Sequence, residues 1–306
     1  MTGEPYKGST DWLGRQIKRP YPWERDVTVC IAAECTDRDR THKIVLCTDR
    51  LGSNVLGGTE TFLKNRSLIE GWRVLVAGAE PAINGLLHHY RLGFRDNYDG
   101  RIETLDAVMK GSAYARKREL ANEYTQTHFA VSYDDFLRFG RDRFPDDIFR
   151  DAFHSIKGLE LDAELIIVGF LNGAQEIYHC DRAGKVYPIS GFTVIGEGAY
   201  LATAALMRRD QYMMCSLEKT LYNVYEAKRY AQAVGSVGKE TVISVLDAQG
   251  VHRLISTSLL LRLREIFEEY GPKPLDNPEI AGPIYHDDEK RLALEAAQRS
   301  GNSETA

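Results

Sequence analysis

The segment Ile44-Val45-Leu46-Cys47-Thr48 constrains the fold more than any other stretch. Its apolar residues fall on both sides of a strand's period-two alternation, Ile44 and Leu46 on one face, Val45 and Cys47 on the other. A strand of that kind is covered on both faces, so it belongs in the middle of a layered protein. The run Val27 to Ala33 precedes it across a polar connection, Glu34 to His42. The two read as a β-hairpin with a solvated tip at Asp37-Arg38-Asp39-Arg40.

The rest of the chain alternates between strand and helix blocks. Arg73 to Gly78 is a further strand. From Glu80 to Gly158 the apolar spacing turns helical, as in Ala82-Ile83-x-x-Leu86-Leu87-x-x-Tyr90 and Leu105-x-x-Val108-Met109, and Pro145 divides a final helical pair. Strands return at Ala163–Phe170 and Glu176–Cys180, with Asn172-Gly173 as the turn between them, and continue at Val186–Ile189 and Phe192–Ile195. Helices are predicted over 199–209 and 216–234, a late hairpin over 241–255 and a last helix over 259–270. Hairpin-linked strands are antiparallel, and strands apolar on both faces need cover on both. The fold class that satisfies this is α+β, a four-layer αββα sandwich of two antiparallel sheets.

Composition excludes several classes. The chain has 306 residues, 39 basic and 44 acidic, and a net charge of -5, with none of the basic excess of a nucleic-acid binder. No apolar run is long enough for a membrane span, and residues 1–26 lack the apolar core of a secretory signal. Five cysteines (Cys30, Cys35, Cys47, Cys180 and Cys215) are scattered without C-x-x-C spacing, which fits neither a zinc site nor a disulfide framework and suits a reducing cytoplasm. Adjacent His88 and His89 point to different faces of one helix and read as a surface pair. No metal or cofactor is expected.

One constellation carries chemistry. Thr28 lies on the first strand, Asp49 ends its hairpin partner, and Lys64 follows in Phe62-Leu63-Lys64: a possible nucleophile set. Thr28-Val29-Cys30-Ile31-Ala32, Ile44 to Arg50, Phe62-Leu63-Lys64 and Val74-Leu75-Val76-Ala77-Gly78 stand in the order of a proteasome β-type subunit's opening. Leu165–Phe170, Ile177–Asp181 with Gly184, and Phe192–Gly198 followed by Tyr200-Leu201-Ala202 continue it. Over roughly residues 27–256 the chain thus resembles the proteasome family of N-terminal nucleophile (Ntn) hydrolases, and its Thr-x-Cys start is most similar to the bacterial ancestral β-subunits.

The resemblance implies a threonine peptidase acting on protein or peptide substrates. Thr28 would be the nucleophile and its own freed α-amine the base. Lys64 would favour the alkoxide, Asp49 would hold the buried ammonium, the Gly78 N–H would face the oxyanion, and Ser236 would keep the family's serine role. It also implies a homo-oligomer, a ring or an open helical assembly, to which an unfolding ATPase would be an added partner that no feature of the sequence identifies. Residues 1–27 are then an arm or propeptide, 28–270 the Ntn-hydrolase-like domain and 271–306 a peripheral tail.

The chain departs from the family pattern in two places: Glu197 stands between Gly196 and Gly198 where active members commonly have serine, and no aspartate precedes Ser236. Thr28 is also internal as encoded, so its nitrogen is an amide until the Val27–Thr28 bond is cut. Two alternatives stay open: a non-catalytic α-type scaffold subunit that keeps its arm, and a small-amide hydrolase on the same fold.

Overall fold

A computed structural model describes residues 28–50, 52–54, 57–59, 63–235 and 237–272. The expected arm, and all but the first two residues of the expected tail, lie outside the described residues. Two compact units divide the chain, Met1–Leu263 and Arg264–Ala306.

The order of strand and helix blocks is the predicted one. The first strand block comprises β1 (Cys30–Thr36), β2 (His42–Thr48), β3 (Gly52–Asn54), β4 (Gly57–Thr59), β5 (Asn65–Ile69) and β6 (Trp72–Gly78). The helical block is α1 (Glu80–Asn97), α2 (Ile102–Phe129), α3 (Tyr133–Arg143) and α4 (Asp146–Lys157). Strands β7 (Ala163–Leu171), β8 (Ala174–Cys180), β9 (Val186–Ile189) and β10 (Phe192–Ile195) follow. After them come α5 (Ala199–Arg208), α6 (Leu217–Ala231), β11 (Val242–Asp247), β12 (His252–Leu254) and α7 (Thr257–Tyr270).

Two five-stranded antiparallel sheets result, β10-β1-β2-β11-β12 and β5-β6-β7-β8-β9, with β3–β4 a separate small hairpin. The two-faced apolar strand β2 is in the middle of the first sheet, as its pattern demands. Its neighbours are in register at one row, Cys30 opposite Thr48 on one side and Val242 opposite Thr48 on the other. Cys30, Ala32, Ile44 and Leu46 face Leu75, Ala77, Ile166 and Val168 of the second sheet in one buried cluster. The alternate residues Ile31, Val45 and Cys47 are buried on the opposite face, against which α6 lies. On the second sheet's outer face, Val74, Val76, Leu165 and Ile167 meet Ile83, Leu86 and Tyr90 of α1 and Leu105 and Met109 of α2.

Local chemistry explains the joints. Asn172 and Gly173 both take positive φ, 51° and 81°, as a two-residue type I′ hairpin turn requires. The Ser132 hydroxyl accepts from the Asp135 N–H and caps α3, and Ser216 caps α6 in the same way at the Lys219 N–H. Pro145 holds the N-cap position of α4, which is where the sequence breaks the helical pair. The α3–α4 pair carries a small core of its own, Phe136, Ala152 and Ile156 with Ala121 of α2, ringed by Phe129, Phe144 and Phe149. In the second unit, the described residues are the end of α7, where Arg264 pairs with Glu268 at 2.8 Å.

Strands β3, β4 and β5 were not expected from the sequence. Each is three to five residues long, and β5, Asn-Arg-Ser-Leu-Ile, is a polar edge strand in which only Leu68 is buried. An edge strand has no second apolar face to betray it.

Burial pushes the thiols of Cys30, Cys35, Cys47 and Cys180 up to about 12. A raised thiol pKa keeps the folded state protonated where the unfolded chain already ionises. The stabilisation is therefore complete below about pH 9 and is lost as pH climbs towards 12. Under reducing conditions the urea midpoint is expected to fall steadily above pH 9, and Cys47→Ala is expected to make that fall shallower; the same slope in variant and parent would rule the assignment out.

Candidate active site

Thr28, Asp49 and Lys64 lie one or two residues outside the ends of β1, β2 and β5. Because β1, β2 and β11 are antiparallel and in register at Cys30, Thr48 and Val242, the start of β1, the end of β2 and the approach to β11 all fall at one end of the sheet. Lys64 reaches the same place from the second sheet, where its carbonyl accepts from the Val76 N–H at 2.9 Å.

The three side chains meet at one carboxylate. Asp49 Oδ1 accepts from Thr28 Oγ1 at 2.8 Å, from the Val29 N–H at 3.0 Å and from Lys64 Nζ at 2.8 Å. Its other oxygen, Oδ2, accepts from the Gly238 N–H at 3.1 Å. Among the described residues three donors thus converge on Oδ1 and one on Oδ2. Asp49 is fully buried and Lys64 is 4 % exposed, so the pair is a desolvated ion pair whose carboxylate is further hydrogen-bonded, which helps such a pair to persist.

The backbone of Thr28 is held as tightly as its side chain. Its carbonyl accepts from the Gly198 N–H at 3.3 Å. Gly196, at φ +92°, abuts it so closely that a Cβ there would lie 2.4 Å from the Thr28 carbonyl oxygen and 2.6 Å from Cγ2. The two glycines flanking Glu197 therefore have a packing reason: they let the turn after β10 close over Thr28.

The sequence-derived residues fare differently. Thr28, Asp49 and Lys64 come together. Gly78 ends β6 opposite Ala163, at φ +134°, where a Cβ would lie 2.5 Å from the Asp162 carbonyl oxygen and 2.6 Å from Ala163 Cα. The close approach that demands glycine there is that of β7, a reason the sequence did not disclose. Ser236 lies outside the described residues. Cys30, the first residue of β1, has its sulfur 4.0 Å from Thr28 Oγ1 and donates to the Val76 carbonyl at 3.5 Å. With its pKa at about 12 the thiol stays protonated and unreactive. His89 pairs with Glu119 at 2.9 Å on the helical layer.

Sequence reasoning missed Gly238 and Lys228. The buried Lys228 side chain on α6 donates from Nζ to the carbonyls of Gly238 and Lys239, at 2.6 and 3.1 Å. A signal was present: Val224, Ala227 and Ala231 surround Lys228 at helical spacing, which places a lysine on an apolar stripe. Among the described residues no group of three or more His, Cys, Asp or Glu side chains is placed to hold a metal ion, and no helix is long and apolar enough to cross a membrane.

A scan of protein-family models finds no match to this chain, and a search of curated proteins finds none.

Removing Asp49 takes the carboxylate from a buried ammonium and from three further donors. Asp49→Ala is expected to lower unfolding stability by about 3–5 kcal/mol, the usual cost of breaking a buried pair by deleting one partner. Urea unfolding measures it, and a loss below about 1 kcal/mol would contradict the buried-pair assignment.

Proposed function

We propose that this chain is a proteasome-like threonine peptidase of the Ntn-hydrolase fold, with Thr28 as its nucleophile once the Val27–Thr28 bond is cut. The observation that carries the reading is the shared oxygen of Asp49, which holds the Thr28 hydroxyl and the Lys64 ammonium at 2.8 Å each in a buried site. Two facing antiparallel sheets with helices on their outer faces, and a threonine at the entry to a central strand, support the fold assignment.

The chemistry has two stages. In the uncut chain the Thr28 nitrogen is an amide and offers no base. Its hydroxyl already donates to Asp49, which makes that carboxylate the nearest proton acceptor. Oγ1 attacks the Val27 carbonyl carbon, the hydroxyl proton passes to Asp49, and the proton returns to the Thr28 nitrogen as the C–N bond breaks. Water then hydrolyses the ester, leaving a Val27 carboxylate and a free Thr28 amine.

In the mature enzyme that amine, with a pKa of roughly 7.7–8.0, takes the hydroxyl proton as Oγ1 bonds to a substrate carbonyl carbon. The proton then goes to the departing amine, and water releases the acyl group. Lys64 stabilises negative charge on Oγ1 throughout, and Asp49 keeps the ammonium in place.

A second reading has one observation in its favour. Thr28 is only 2 % exposed and its hydroxyl is already engaged, so the same node would serve a non-catalytic scaffold subunit.

Intact mass and N-terminal sequencing separate the two. The peptidase is expected to accumulate as a chain beginning at Thr28 that hydrolyses fluorogenic peptides and gains mass on Thr28 from a β-lactone. Thr28→Ala is expected to retain residues 1–27 and lose at least 1,000-fold in hydrolysis, on the order of 4 kcal/mol in the barrier. A full-length active protein, or a Thr28→Ala chain cut at the same bond, would sink the mechanism.

A further inference from the structure

Lys228 is a lysine where the packing asks for an apolar side chain. It is fully buried on α6, between Val224 and Ala231 of the same helix stripe. Its hydrogen-bond partners among the described residues are two backbone carbonyls, of Gly238 and Lys239, at 2.6 and 3.1 Å. Neutral carbonyls compensate a buried ammonium less well than a carboxylate does. Burial accordingly pushes Lys228 down to about 8. A methionine of similar length would fill the space without that penalty.

The position of those carbonyls shows what the ammonium secures. Gly238 is bonded at both ends: its oxygen accepts from Lys228, and its N–H donates to Asp49 Oδ2 at 3.1 Å. Gln232, one turn further along the chain from Lys228, donates to the same two carbonyls at 3.3 and 2.8 Å. The 237–239 turn is thus clamped from the α6 side by two side chains, and the Gly238 N–H bonds it to the Thr28 site at Asp49. That bond is to Oδ2, while Oδ1 accepts from Thr28, Val29 and Lys64. The clamp abuts the nucleophile's strand as well. A Cβ on Gly198 would lie 2.8 Å from Ala231 Cβ, 2.9 Å from Val237 Cγ2 and 3.2 Å from Val29 Cβ, so α6, the 237–239 turn and the start of β1 converge there without slack.

We propose that Lys228, assisted by Gln232, is a positioning residue: it fixes Gly238 so that the Gly238 N–H orients the Asp49 carboxylate towards Thr28 and Lys64. Lys228 touches no reacting atom and acts through Gly238 and Asp49. The role rests on the peptidase reading of Thr28. The clamp itself does not, and a measurement on Gly238 reports it directly.

The test uses the full chain and its Lys228→Met and Gln232→Met variants, with fluorogenic peptide as substrate and glycine-selective ¹⁵N labelling. A carboxylate-bonded amide resonates downfield. In Lys228→Met the Gly238 amide proton is expected to move upfield by at least 0.5 ppm, while kcat falls at least tenfold, KM changes less than twofold and the thermal midpoint is unchanged or higher. Gln232→Met, at a more accessible position, is expected to show the same signs with a kcat loss of about threefold, and it carries the test if Lys228→Met does not fold. An unmoved Gly238 resonance in the folded variants overturns the proposal, as does a kcat loss that only tracks a lowered midpoint. If the parent chain hydrolyses no peptide, the peptidase reading fails by itself. The Gly238 shift then decides whether the clamp exists.

Discussion

The Asp49 carboxylate is the point on which the described structure of the site depends. Among the described residues it accepts from four donors drawn from three stretches of chain: the start of β1, the segment ahead of β5 and the turn ahead of β11 all converge on the residue that follows β2. A buried carboxylate is tolerated only when its lone pairs are matched, and here the matching draws both sheets together at one end. The same bonds that make the ion pair tolerable also set the distance from Thr28 to Lys64. Stability and chemistry are therefore not separable at this residue, and the proposed nucleophile is held in place by an interaction the fold requires in any case.

That convergence is possible because of how the sheets are layered. The first sheet buries one face on the second sheet and the other under α6, so β1 and β2 are central in two directions. Side chains at their ends emerge into surroundings already dry, where an ion pair and a hydroxyl–carboxylate bond are strengthened by the low dielectric. The glycine pair around Glu197 completes the enclosure, since a turn with side chains at those two positions would collide with Thr28, Val29 and Ala231.

Much of this was legible in the sequence, for identifiable reasons. The two-faced pattern of Ile44 to Cys47 demanded burial on both sides, and hairpin-scale spacing demanded antiparallel pairing. Asn172-Gly173 named its own turn type. Thr28 and Asp49 flank the two strands of one local hairpin, so their meeting could be anticipated, whereas Lys64 comes from the other sheet and was placed by the family resemblance. What was hidden depends on long-range contact or on weak local signals. Gly238 is separated from Asp49 by 189 positions, and nothing in Val237-Gly238-Lys239 announces a carboxylate partner. Lys228 carries no motif, and only its place on the apolar stripe of α6 marks it. Strand β5 is polar and at an edge, which removes the alternation that reveals a strand. Gly78 was singled out for an oxyanion N–H, whereas the close approach that requires a glycine there is that of β7, which begins 85 residues later.

The α3–α4 pair has its own small aromatic core, rooted on α2 at Ala121 rather than on either sheet. Its cohesion therefore does not draw on the cluster shared between the sheets, and local opening of that pair leaves the Asp49 node bonded as before. In terms of cooperativity, the molecule contains an annex that can breathe, lengthen or be exchanged on its own timescale. The end of the sandwich holding Thr28, by contrast, is tied into both sheets through Asp49 and Lys64.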